Sequence, residues 1–219
     1  MTVPLPPLPP VPEQQGYRPG GRSLVDIVDQ EHRQLLDLAD RVGDPDSAPG
    51  DLVQVLTAAV SRHLSAEEQY LFPAVRAALP QAGEQVDREL AAAGALLTAL
   101  KALTGSADPA LADVAERVRR HAARVTELVT PLREVATDAE LIRLGNRWEI
   151  AEEAAPSRPH PGTPATPPWN RIVEPAMGVV DKVRDAVTRR PTYPADLEPG
   201  TGRSEATSEA ASEARRPPA

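Results

Sequence analysis

An internal repeat is the feature of this sequence that most constrains its fold. The pair Arg62-His63 recurs 58 residues later as Arg120-His121, and Pro73 recurs at the same offset as Pro131. Further pairs at this offset need no gap: Val28 with Val86, Asp29 with Asp87, Glu31 with Glu89, Leu56 with Val114, and Val60 with Val118. Each copy contains two amphipathic segments. Two such helical hairpins, related by a pseudo-twofold axis, predict a four-helix bundle around a central site.

Apolar residues at helical spacing, together with capping residues, predict where the helices lie. The predicted helices run from Ser23 to about Gly43, from Asp51 to about Leu79 with a bend at Pro73, from Gly83 to about Leu103, from Asp108 to about Val135, and from Thr137 to about Ala155. The first four are of similar length and are joined by short loops. They predict an all-α fold with an up-down-up-down bundle, followed by C-terminal helices.

The composition supports this fold class and limits the kind of metal site. Hydrophobic residues make up 41% of the chain, but aromatic residues make up only 3%. The core must therefore be aliphatic, which suits helix packing. The chain has no cysteine, so any metal must be bound by His, Asp or Glu side chains.

Proline divides the chain into domains and connecting segments. Of the 25 prolines, seven precede Ser23 and twelve follow Ile150, which places the bundle between them. The predicted segments are a Pro-rich disordered leader (1–22), the bundle (23–155), a Pro-rich linker (156–170), an amphipathic helix (171–190) and a disordered tail (191–219). The helix 171–190 places Ile172, Ala176, Val180, Val183 and Val187 on one side. Its charges are of mixed sign, which favours docking on the bundle over lying on a membrane surface.

Charge and hydropathy exclude two classes of partner. The net charge of −8 argues against binding to a nucleic-acid backbone, which requires a basic face. The longest apolar run, 90–100, is far shorter than the roughly 20 residues of a membrane-spanning helix. The first residues lack the pattern of a secretory signal. We therefore expect a cytoplasmic protein without a transmembrane segment.

The stretch HLSAEEQYLFP, from His63 to Pro73, contains the strongest chemical signal. His63 and Glu67 are four residues apart, so they lie on one face of a helix that is otherwise apolar. A carboxylate on a buried face is costly unless it is paired or bound to a metal. The pair is either a set of metal ligands inside the bundle or a neutral core histidine beside a glutamate that reaches solvent.

Three elements of the sequence resemble the hemerythrin-like family, which carries the HHE cation-binding domain. They are QEH at 30–32, HLSAEEQYLFP at 63–73, and a second histidine followed ten residues later by proline at 121–131. The segment RPHPGTPATPPWNRIVEPAMGVVDKVRDAVTRR, at 158–190, is similar to the tail of an actinobacterial branch of that family.

The resemblance implies a site for two iron or similar ions, held by histidines and bridging carboxylates. It assigns His32, His63 and Glu67 as ligands from the first hairpin and His121 as a ligand from the second. The ligand set is incomplete, because Leu90 is the repeat partner of His32 and Val125 is the partner of Glu67. Three imidazoles and one carboxylate suit a single iron or zinc ion.

Three further glutamates lie beside the same faces: Glu31, Glu68 and Glu89. They are either partners of the metal ligands or ordinary solvated charges. The fourth histidine, His160, lies in the Pro-rich linker and is expected to be a surface residue.

Two functions follow from this pattern. The first is a protein that binds one metal ion and binds or senses oxygen, nitric oxide or iron. The second is a metal-free scaffold that acts in protein interaction, which the aliphatic Leu90 and Val125 favour. An oxidase or oxygenase is a third hypothesis, which needs two redox ions or an open coordination position with a substrate pocket. No nucleophile triad, phosphate loop or dinucleotide fingerprint supports any other enzyme, so enzyme activity is not the predicted function. No pattern identifies a protein partner.

Overall fold

A computed structural model describes residues 19–44, 50–105, 108–161, 170–188 and 190–197. These residues form helices and connecting turns, with no β-strand among them. The α-helices are α1 (Leu24–Gly43), α2 (Gly50–Ala66), α3 (Phe72–Ala78), α4 (Gly83–Ala102), α5 (Leu111–Val135), α6 (Asp138–Ala154) and α7 (Asn170–Thr188). The predicted all-α class is confirmed.

The bundle is built from α1, the α2–α3 helix, α4 and α5. Helix α1 packs on α5 and α2, and α4 packs on α5 and on the α2–α3 helix. Aliphatic side chains form two core clusters, one at each end of the bundle. His32 and His121 lie between these clusters along α1 and α5, so a polar layer separates two apolar layers. Burial of the two apolar layers stabilises the bundle and excludes water from the layer between them.

The second predicted helix is interrupted by a π-helical turn, Glu67–Leu71. The N–H of Phe72 donates to the carbonyl of Glu67, five residues back, instead of four. The sequence predicts the disturbance at Pro73, whose missing N–H cannot bond to the carbonyl of Gln69. The five-residue hydrogen-bond spacing begins before the proline, so the π-helical turn contains Glu67 itself.

One predicted helix start is observed as expected, and another differs in detail. The side chain of Ser23 accepts a hydrogen bond from the N–H of Val25, as expected of a cap. Helix α5 begins at Leu111, later than the predicted start at Asp108. The Asp108 carboxylate still organises this turn, because it accepts hydrogen bonds from the N–H groups of Ala110 and Thr104.

The cap of α6 gives a testable prediction. Thr137 and Glu140 form a reciprocal capping box, which satisfies two backbone N–H groups at the start of the helix. We expect Thr137→Ala to lower the free energy of unfolding by about 1 kcal/mol, measured by denaturant titration. The control is Thr98→Ala, because the Thr98 hydroxyl bonds only to the carbonyl of Gly94 within its own helix. Equal losses in the two variants would contradict a capping role.

Residues at both ends of the bundle correct the predicted boundaries. The carbonyl of Gly20 accepts a hydrogen bond from Asn146, and Arg22 pairs with Glu149 at 2.8 Å. At the other end, Arg62 donates to the carbonyl of Thr192 at 2.7 Å, and its guanidinium lies over the ring of Tyr193. The predictions of disorder are therefore wrong for residues 19–22 and 192–197, because long side chains on the bundle bind these segments. Residues 1–18 and 198–219 of the two predicted segments lie outside the described residues.

Helix α7 packs on the end of α6, in agreement with the docking on the bundle that its mixed charges favour. The side of α7 that docks is not the apolar side identified from the sequence. Gly178 permits the close approach, since a Cβ there would lie 1.9 Å from the carbonyl oxygen of Ala154. Among the described side chains of α7, those of Asp181 and Asp185 are buried, whereas Val180 is 66% exposed. Charge pairing therefore decides which side of this helix docks. Among the described residues, no helix is long and apolar enough to cross a membrane.

The segment that precedes α7 is also held against the bundle. His160 is half-buried, and its Nε2 lies 3.0 Å from Asp181. Arg158 pairs with Asp185 at 2.6 Å. The prediction that His160 is a surface residue is therefore wrong, because the buried carboxylates of α7 recruit the linker.

Candidate metal centre

Three histidines and one glutamate converge in the middle of the bundle. His32 comes from α1, His63 from α2, Glu67 from the π-helical turn and His121 from α5. All four are buried, and Glu67 is fully inaccessible to solvent. One nitrogen or oxygen atom from each residue lies within 4.8 Å of the others. The structure thus brings together the four residues that the sequence singles out.

The Glu67 carboxylate lies at the centre of this cluster. Its Oε1 is 3.1 Å from Nε2 of His63 and 3.9 Å from Nε2 of His32. Its Oε2 is 3.2 Å from Nε2 of His121. The three imidazole rings lie edge to face, with centroids 5.0 to 5.9 Å apart. Donor atoms from three helices therefore point at one small volume.

The donor atoms fit a bound metal ion. The imidazole Nε2 atoms of His32, His63 and His121 and both Glu67 oxygens are buried, and no described residue forms an aligned hydrogen bond with them. Such atoms are costly unless a cation binds them. With metal–ligand bonds of about 2.0 to 2.2 Å, four tetrahedral ligands lie roughly 3.3 to 3.6 Å apart. The distances from Glu67 bracket this range, so a small shift of side chains would complete such a site.

The electrostatics of the cluster without a metal support the same conclusion. Burial alone would raise the pKa of Glu67, but the imidazoles of His121 and His63 outweigh it and hold this pKa well below its usual range. Burial opposes the charging of His63, yet Glu67 and Glu31 raise its pKa to about 10. Burial lowers the pKa of His32. The cluster therefore needs positive charge beside Glu67, which either a proton or a metal ion can supply.

Glu31 orients one of these histidines. Its Oε2 accepts a hydrogen bond from Nδ1 of His63 at 2.8 Å, and its Oε1 accepts one from Nε1 of Trp148 at 2.8 Å. The first bond places the Nδ1 proton of His63 and leaves Nε2 directed at the cluster. The sequence leaves two alternatives for Glu31, a partner of a metal ligand or a solvated charge. The structure supports the first, because Glu31 is bonded to the candidate ligand His63. Sequence reasoning missed Trp148, because no spacing links α6 to the repeat.

Glu152 extends this chain of contacts on α6. The pKa of Glu152 is raised to about 7, mainly by burial and secondly by the neighbouring Glu31 carboxylate. Its protonated form can therefore donate a hydrogen bond to Glu31 near neutral pH. Helix α6 thus contributes two groups, Trp148 and Glu152, that hold the Glu31 carboxylate in place.

This raised pKa predicts a pH dependence of stability. A group whose pKa is raised on folding stabilises the protein fully below its ordinary pKa of 4.5, and this contribution is lost as the pH rises through about 7. Glu152→Gln cannot lose the proton. In metal-free protein, the free energy of unfolding of the variant, relative to that of wild type, should therefore rise by up to about 3 kcal/mol from pH 5 to pH 8. Denaturant unfolding at both pH values measures this difference.

The matched control is Glu153→Gln. Glu153 is exposed, and its hydrogen bond with Lys182 lowers its pKa. It should therefore stay ionised across the same range, and its variant should follow the wild-type pH profile. If Glu152→Gln also follows the wild-type pH profile, the raised pKa of Glu152 is contradicted.

The other candidates named from the sequence lie outside the cluster. Glu89 pairs with Arg124 at 3.8 Å across α4 and α5. Glu68 lines a separate cavity between α2 and α4. Leu90 and Val125 pack in the apolar core, so the second hairpin contributes only His121 to the cluster. Both glutamates are buried, so neither is an ordinary solvated charge.

A surface groove between α1 and α5 reaches the edge of the cluster. It has a volume of about 380 Å³ and is lined by Asp29, His32, Arg33, Leu36, Arg119, Ala122, Ala123 and Thr126. A small molecule in this groove would therefore lie against one of the candidate ligands.

Comparison with known proteins identifies the fold and the kind of site. A family model for the hemerythrin HHE cation binding domain matches residues 23–132, which is half of the chain. No curated protein and no solved structure matches the chain significantly. The matched region contains all four converging residues, and their buried arrangement fits metal binding. This chain is therefore a member of the hemerythrin family of HHE cation-binding domains.

Proposed function

We propose that this protein holds a single iron or zinc ion between His32, His63, Glu67 and His121, and that it binds or senses oxygen, nitric oxide or iron. The observation that carries the proposal is the convergence of four buried donor groups whose facing atoms have no aligned hydrogen bond among the described residues. Imidazole and carboxylate donors suit both metals.

The proposal is limited to one ion because of the second hairpin. Leu90 and Val125 occupy the repeat positions of His32 and Glu67, and both are aliphatic. A second ion would therefore lack a histidine and a carboxylate. It would also place a second positive charge beside Glu67, the single carboxylate of the cluster, which could not compensate both.

Each residue has a defined task in this proposal. Glu67 supplies the negative charge, and Glu31 holds His63 so that its Nε2 faces the cluster. The apolar layers on either side keep water away from the ion, which strengthens every charge interaction there. When bound, an iron ion would supply reversible redox chemistry and an attachment point for a diatomic ligand. The groove beside His32 offers a route by which such a ligand approaches.

Elemental analysis of protein purified without a histidine tag tests the proposal. We expect about one iron or zinc ion per chain, and loss of that ion in His121→Ala, which removes the only ligand of the second hairpin. The control is His160→Ala, because His160 is bonded to Asp181 and is not part of the cluster. Two ions per chain would contradict the single site. Protein without any metal after growth with iron and zinc would favour the metal-free scaffold.

A further inference from the structure

Helix α7 turns apolar side chains away from the bundle. Val179, Val180 and Val187 are 63%, 66% and 80% exposed. They are three of the six large hydrophobic side chains that are exposed among the described residues, so this class of side chain is concentrated on one helix. Val180 and Val187 are two helical turns apart and lie on one face, and Val179 borders that face. We call these three residues the valine stripe.

The way in which α7 docks holds the valine stripe outward. Asp181 and Asp185 are buried on the side that meets the bundle. Asp181 lies 3.0 Å from Nε2 of His160, and Asp185 lies 2.6 Å from Arg158. Turning the valines inward would remove both carboxylates from these partners and leave buried polar groups unpaired. The exposure of the stripe is therefore fixed by the fold.

Docking also changes the charge that α7 presents to its surroundings. Residues 171–190 contain five basic and three acidic side chains. Two of the three acidic ones, Asp181 and Asp185, are buried and paired, so they are withdrawn from the surface. Among the described residues of α7, the charged side chains that stay exposed are those of Lys182 and Arg184, both basic. The mixed charges that argue against a membrane surface are thus sorted by the fold, with acidic groups inward.

The two exposed cations border the valine stripe on opposite sides. Arg184 is four residues after Val180, and Lys182 is three residues after Val179 on the other edge. Arg184 forms no ion pair with any described residue. Lys182 pairs with Glu153 at 2.8 Å, but this pair is exposed and is worth little in water. Both cations can therefore bind anions that approach the stripe.

An apolar stripe between cations has the chemistry of a helix that lies on an anionic membrane. Its apolar side chains enter the boundary between headgroups and acyl chains, and its cations attract the lipid phosphates. A second copy of the chain fits this surface less well, because the bordering cations would meet like charges. Three valines are also far fewer than the 20 to 30 residues, or roughly 800 Å² per partner, of a stable interface. We propose that the valine stripe binds the surface of an anionic phospholipid bilayer.

Co-sedimentation of the full chain with lipid vesicles tests this proposal. Vesicles of phosphatidylcholine mixed with phosphatidylglycerol are compared with vesicles of phosphatidylcholine alone. We expect binding to the anionic vesicles at about 0.05 M salt, and a large loss of that binding at about 0.5 M salt, because salt screens the attraction. Failure to bind the anionic vesicles at the lower salt concentration would overturn the proposal.

Two valine substitutions form a matched pair. Val187→Ser removes an apolar side chain from the stripe and should weaken binding to the anionic vesicles by roughly tenfold. Val135→Ser makes the same change at the end of α5, where Val135 is 56% exposed, and should leave vesicle binding unchanged. Both valines are exposed, so neither change should unfold the protein. Equal vesicle binding by the two variants would show that the stripe does not bind the bilayer.

A second matched pair tests the cations. Arg184→Gln should weaken binding to the anionic vesicles by roughly fivefold, since each basic residue near such a surface contributes about 1 kcal/mol. Arg33→Gln removes the same charge from an exposed position on α1 and should have a smaller effect. Equal losses would mean that overall charge, and not this surface, governs binding.

The oligomeric state without lipid tests the competing occupant. We expect sedimentation equilibrium to give a monomer for both the wild type and Val187→Ser. A wild-type dimer that dissociates in Val187→Ser would assign the stripe to a second copy of the chain and overturn the proposal.

Discussion

The substitution Glu67→Leu is expected to abolish metal binding and to lower the stability of the metal-loaded protein by about 4 kcal/mol when free metal is at a thousandfold excess over the dissociation constant. Glu67 supplies the only carboxylate of the cluster, and its two oxygens face different histidines. Its removal leaves three neutral imidazoles to hold a divalent charge. Thermal or denaturant unfolding with and without metal measures the difference.

The same variant should behave differently once a chelator is present. In the metal-free protein Glu67 lies beside the imidazoles of His63 and His121, so it is already paired. Loss of one partner of a buried ion pair is costly where the remaining charge cannot be neutralised, but an imidazole can release its proton, so we expect a change within about 1 kcal/mol.

Glu68→Leu is the matched control for this experiment. It makes the same change one residue along the chain, at a second buried carboxylate that lies outside the cluster. The control should retain the metal-dependent gain in stability. Higher stability of Glu67→Leu than of wild type, both with metal and with chelator, would contradict the metal hypothesis and favour the scaffold.

Trp148→Ala should cause the second large effect, a loss of about 3 to 5 kcal/mol in the free energy of unfolding. Trp148 has the largest fully buried side chain among the described residues, and it lies on α6, beyond the end of the family match. The indole packs in the core cluster at one end of the bundle and lies edge to face with His63. The loss therefore combines a large cavity with a broken polar contact.

Trp148→Phe separates these two contributions. Phenylalanine keeps most of the packing but removes the N–H that donates to Glu31, so the cost should be about 1 to 3 kcal/mol. Metal affinity should also fall by about tenfold or more, because Glu31 orients His63. Ile150→Ala is the control, since Ile150 is exposed on the same helix. If Trp148→Ala costs no more than this control, α6 is an appendage and not part of the core.

The bundle and the His63–Glu67 pair could be predicted from the sequence because both depend on regular spacing, whereas His32 and His121 were assigned to the cluster by the family resemblance. Helical periodicity and an aliphatic composition specify amphipathic helices, and the 58-residue repeat pairs them into two hairpins. The spacing of His63 and Glu67 places both on one buried face. Once the helices pack side by side, His32 and His121 on neighbouring helices reach the same level of the bundle. Periodicity is a local property, so it can be recognised without any coordinates.

Only the tertiary structure decided which groups surround this cluster and where the ends of the bundle lie. Three contacts join segments that no common sequence period relates. They are the hydrogen bond of Trp148 with Glu31, the docking of residues 192–197 by Arg62, and the packing of the polar side of α7. Each depends on a long or buried polar side chain finding a partner far along the chain. Such pairing is settled by the shape and charge of the folded surface, because a buried polar group must be satisfied wherever a partner happens to be close.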